Sequence, residues 1–92
     1  MNDVEKEVLL IAQEECAEVT QAISKVFRFG LDAEHNGASN RDRLTEEVGD
    51  LFCMIQLMIE KGIINIDNVD RASANKKAKL QKWSNIFNEE KQ

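Results

Sequence analysis

Apolar residues recur at helical spacing from the start of the chain. On a helix turning about 100° per residue, Val4, Val8, Ile11, Val19, Ala22 and Val26 fall within about 40° of one line. The pattern predicts a first helix over residues 3–27. Asp3 is its expected N-cap, Glu5 and Glu7 complement the positive end of the dipole, and Lys25 and Arg28 complement the negative end. Gly30 is the expected C′ residue. A second helix is predicted over residues 40–61, capped by Ser39 or Asn40 and stopped by Gly62. From Leu51 to Ile59 its apolar residues run nearly all the way round, which predicts cover from its own chain on one side and from another subunit on the other. A third helix starts at Asn65 or Asp67, with Val69, Ala72, Leu80, Trp83 and Phe87 on its apolar side and Arg71, Asn75, Lys79 and Lys82 on a polar one. The stretch from Phe29 to Asn40 carries Gly30, Asn36, Gly37 and Ser39 and reads as a loop, long enough for a lid or substrate loop. Fraying is expected from about Asn88.

The apolar line of the first helix runs through Glu15, and Glu18 lies about 60° to its other side. The second helix repeats this. Leu44, Leu51, Met54 and Met58 lie within about 60° of Glu47, and Asp50 is about one 60° step away. Two helices packed through these stripes, with axes about 8–10 Å apart, bring four carboxylates together. Buried carboxylates without a counter-charge cost on the order of several kcal/mol each, and the stripes hold too few basic residues to neutralise them. A ligand set made only of oxygen selects a hard divalent cation, magnesium or manganese, over zinc or copper. Rotated helix faces would make either cluster a mere polar edge. Two clusters with the same i, i+3 spacing favour metal binding.

Composition narrows the class further. The chain of 92 residues makes a single domain, residues 1–92, whose small core makes homo-oligomerisation, as a dimer or tetramer, the expectation. With 42% hydrophobic residues and no proline, the expected fold is all-α, a small bundle of three to four helices completed by oligomerisation. A net charge of −5 argues against nucleic-acid and anionic-membrane partners, whereas a polyphosphate can still bind through intervening metal ions. Residues 1–5 carry neither a basic nor an apolar leader signal, and the run from Leu51 to Ile59 is too short to span a bilayer, so a cytoplasmic location is expected. Cys16 and Cys53 form no CxxC and read as buried, reduced thiols.

Glu14-Glu15-x-x-Glu18 followed by Glu47-x-x-Asp50, each on its own amphipathic helix, resembles the MazG-like all-α nucleoside triphosphate pyrophosphohydrolases. The likeness extends to Gly49-Asp50-Leu51 and to the basic third helix ending Lys82-Trp83. The resemblance implies magnesium-dependent hydrolysis of NTPs or dNTPs between the α and β phosphates, giving the monophosphate and pyrophosphate through a metal-activated water. It implies Glu15, Glu18, Glu47 and Asp50 as metal ligands, and Glu14 as a further ligand or as the group that orients or deprotonates the water. It also implies phosphate binding by Arg43 and, less securely in register, substrate contacts from Asn75 and Lys79.

The residue types suit that chemistry. Phosphoryl transfer needs charge neutralisation and in-line positioning, and metals clamped by carboxylates supply both. No serine or cysteine is paired with a base, and the single histidine, His35, lies in the loop, so the Glu-x-x-His pattern of di-iron bundles is absent. An intrahelical pair with Glu46 or Glu47 competes with phosphate for Arg43. Met54 and Met58 read as core, Trp83 as core or interface, and the lysines of the third helix as solvated charge. Two other readings stand beside the leading one: phosphoribosyl-ATP pyrophosphohydrolase, and a non-catalytic helical dimerisation module.

Overall fold

The first helix begins at Asn2. Its side-chain oxygen accepts the Glu5 N–H while the Glu5 carboxylate accepts the Asn2 N–H, both at 2.8 Å. This reciprocal capping box moves the cap one residue ahead of the expected Asp3. The computed structural model describes residues 1–88. It contains helices α1 (Asp3–Phe29), α2 (Asn40–Glu60) and α3 (Ile66–Trp83), with strands β1 (Glu34–His35) and β2 (Ala38–Ser39) between the first two helices. The fold is all-α, as the periodicity predicts. α1 ends at Gly30, whose φ of 99° only glycine adopts readily and whose N–H reaches the Val26 carbonyl at 2.9 Å.

The expected loop is a tight hairpin instead. β1 and β2 pair antiparallel, Glu34 with Ser39 and His35 with Ala38. Asn36 and Gly37 turn the corner with φ of 55° and 82°, the left-handed values that an Asn-Gly dipeptide supplies at low cost in a two-residue hairpin. Ser39 then caps α2. Its hydroxyl accepts the Asp42 N–H at 3.0 Å, and the Asp42 carboxylate accepts the Ser39 N–H at 3.4 Å.

This hairpin folds α2 back antiparallel along α1. The seam is narrow. Val8, Ala12 and Met54 are buried at one end, flanked by Ile11, Leu57, Met58 and Ile63, and Ala22 is buried nearer the hairpin.

α3 departs from the expected bundle. It buries no residue and lies largely apart from the α1–α2 pair. Val69 and Leu80 are half-buried, Ala72 is exposed, and Trp83, at 78% exposed, is no part of a core within this chain. The described residues form a slab of 47 × 39 × 15 Å with a radius of gyration of 16.4 Å, against about 12 Å for a compact domain of this length. In a slab little thicker than one helix, α1 and α2 have each other as their one close helical neighbour. Cys16 and Cys53, expected inside, are therefore exposed free thiols, and Phe52, 58% exposed, lies on the side of α2 for which cover by another subunit was expected. Apart from Asn88 itself, the fraying expected from about Asn88 concerns positions outside the described residues.

Candidate metal centre

The antiparallel pairing sets the Glu-rich turn of α1 beside the first half of α2. Glu15, Glu47 and Asp50 each offer a carboxylate oxygen within 4.8 Å of the others. Glu15 and Glu47 are half-buried and Asp50 is exposed, so the cluster sits at the edge of the seam with one side open to water. Oxygens around an octahedral magnesium ion at 2.0–2.1 Å stand roughly 3–4 Å apart, so small rotations close this set onto a cation. Partial burial holds the Glu47 carboxyl above its ordinary value, and the charges of Glu18, Asp50, Glu15 and Glu46 push it the same way. Such crowding of like charge is what a bound dication relieves. The donors are all carboxylate oxygens, the set that fits magnesium or manganese.

Glu18 lies outside the 4.8 Å set but lines the cleft that opens beside Glu47. Glu14 is exposed and belongs to neither the set nor that cleft. The cleft, of about 110 Å³, continues past Gln21 and Ala22 to Lys25, Asn40 and Arg43. Arg43 forms no carboxylate pair among the described residues; its guanidinium donates to the His35 carbonyl and so ties α2 to the hairpin. Asn40 is buried, and its Nδ2 donates to the Gly30 carbonyl at 2.8 Å, fastening the end of α1 to the start of α2. Asn75 and Lys79 sit exposed on α3 and line no part of this cleft.

Lys25 and Asn40 are cleft residues that sequence reasoning assigned to a helix end and a cap. Lys25 was legible: it follows Glu18 by two turns and shares its face with Gln21 and Ala22. Asn40 carried no comparable signal, since only the return of α2 brings it under Gly30.

No helix among the described residues is long and apolar enough to cross a membrane. No curated protein and no solved structure matches the chain. A family model, the MazG nucleotide pyrophosphohydrolase domain, matches residues 4–84, a span that holds both carboxylate clusters, the cleft and all three helices but for the first residue of α1. The chain belongs to the MazG nucleotide pyrophosphohydrolase family, hydrolases that act on the phosphoric anhydrides of nucleoside triphosphates.

Proposed function

We propose that the protein hydrolyses NTPs or dNTPs at the α–β phosphate bond, releasing the monophosphate and pyrophosphate, with magnesium as cofactor and manganese able to replace it. The observation that carries this reading is the convergence of Glu15 and Asp50 on Glu47, which itself lines a cleft that also holds Lys25 and Arg43. Glu15, Glu47 and Asp50 hold the metal. A bound dication neutralises charge on the phosphate oxygens and polarises the attacking water. Lys25 and Arg43 face the phosphates farther along the cleft, and Arg43 is kept in place by the His35 carbonyl. Glu18, exposed like Glu14 but on the cleft wall beside Glu47, is better placed than Glu14, which lines no part of the cleft, to orient the water and accept its proton. Asn75 and Lys79 would reach substrate only if α3 of another copy, or a movement of this one, brought them over the cleft.

The same reading includes a homo-oligomer and a cytoplasmic location, where the nucleotide pool lies. Val48 and Phe52, 46% and 58% exposed, line up with the half-buried Ile55 and Ile59 on a second apolar stripe of α2.

The deciding experiment is product chromatography on a panel of dNTPs and NTPs with magnesium or manganese, beside Glu47→Gln. Monophosphate plus pyrophosphate, lost in the variant, is the expected result. Diphosphate plus phosphate would place hydrolysis at another bond. No turnover of any nucleotide would move the reading toward phosphoribosyl-ATP or a non-catalytic module.

A further inference from the structure

A second cleft, of about 610 Å³, adjoins the first and shares Lys25, Asn40 and Arg43 with it. Its far side is built by the end of α1 and by the hairpin: Phe29, Ala33, Glu34, His35 and Asn36. The two clefts form one path, from the carboxylates past two cations to an aromatic ring. Phe29 is 60% exposed, and the Arg28 guanidinium lies over its ring, 4.9 Å from the centroid. The cation occupies one face and restrains the ring, while the cleft borders the residue. Glu34, His35 and Asn36 add hydrogen-bonding groups at the rim. We propose that this hairpin cleft receives the nucleobase of the substrate, stacked on Phe29, while the triphosphate extends past Arg43 to the carboxylates.

The inference rests on the reading of the carboxylate cluster as a nucleotide site, and it assigns the base-recognising part of that site to this chain's own hairpin. A metal, then cations, then a π-surface is the order in which a nucleoside triphosphate presents its anionic tail and its base. Base–aromatic stacking tolerates any base, so Phe29 supplies affinity and the rim groups supply choice.

The test is calorimetric titration, with magnesium, of methylene-bridged nucleoside triphosphate analogues and of the matching ribose triphosphate analogue that lacks a base. The wild-type protein should bind at least one base-bearing analogue about tenfold more tightly than the baseless one, as one stacking contact provides. Phe29→Ala should remove that preference while leaving the baseless affinity and the magnesium-induced thermal shift unchanged, and Phe29→Trp should keep the preference. A preference that survives Phe29→Ala, an equal loss for both ligands, or no preference in the wild-type protein would overturn the assignment. A Phe29-dependent preference without turnover of any nucleotide would leave the cleft assigned and sink only the hydrolase reading. Failure of every analogue to bind would overturn both.

Discussion

Glu15 and Glu47 face each other across the seam between α1 and α2, far apart in the chain yet with carboxylate oxygens inside one 4.8 Å cluster that also takes in Asp50. Partial burial raises the Glu47 carboxyl above its ordinary value, and the repulsion of like charges at that spacing raises it further. Folding holds the three groups together, and a dication turns the repulsion into attraction.

Magnesium or manganese at millimolar concentration should therefore raise the thermal midpoint, by linkage to a site that only the folded chain assembles. Glu47→Gln should abolish that shift and lower turnover by at least about 100-fold, since losing even a group behind a metal ligand costs 10–100-fold. Without metal, the same variant should be as stable as the wild type or more so, because one repelling charge is gone. Glu14→Gln should keep the metal shift. A shift that survives Glu47→Gln would place the metal elsewhere.

Asn40→Ala removes the buried amide that grips the Gly30 carbonyl. The expected loss is about 1 kcal/mol in urea unfolding, because the freed carbonyl lies at an exposed residue and can turn to water. Nucleotide KM should rise more than kcat falls, since Asn40 lines both clefts but lies outside the carboxylate set.

Asp32 and Arg41 form the ion pair that braces the hairpin, at 2.8 Å. The hydrogen bond from Arg41 holds the Asp32 carboxyl below its ordinary value; desolvation opposes it, and the guanidinium charge assists it. A lowered folded-state value means that the contribution is present above the ordinary aspartate value and disappears as pH falls through the lowered one. Asp32→Asn should thus show a small loss of thermal midpoint at neutral pH that closes in acid and narrows in high salt, because both partners are largely exposed. A difference that persists in strong acid would point to something other than the ion pair.

Met54 and Phe52 separate the two apolar stripes of α2. Met54 is 7% exposed within the seam, and Met54→Ala should cost about 2–4 kcal/mol in chemical denaturation.

Phe52 is 58% exposed on the other stripe. Phe52→Glu should leave the seam intact and shift the sedimentation mass toward the single chain. Unchanged mass would show that copies associate elsewhere or not at all.

The sequence by itself determined the helices, their N-caps to within a residue, and the apolar-stripe positions of Glu15, Glu47 and Asp50, because helical periodicity and capping are local properties of the backbone; Glu18, expected to join them, lies outside their set. The hairpin was equally local: Asn36-Gly37 carries the turn, although its surroundings read as open loop. Only the tertiary structure decided which faces find a partner. It left Cys16, Cys53 and Trp83 exposed, set α3 apart, and brought Lys25, Asn40, Arg43 and Phe29 to one path beside the carboxylates. Those outcomes depend on how α2 returns along α1 and on how few neighbours one thin layer of helices supplies. No spacing along a single helix encodes that.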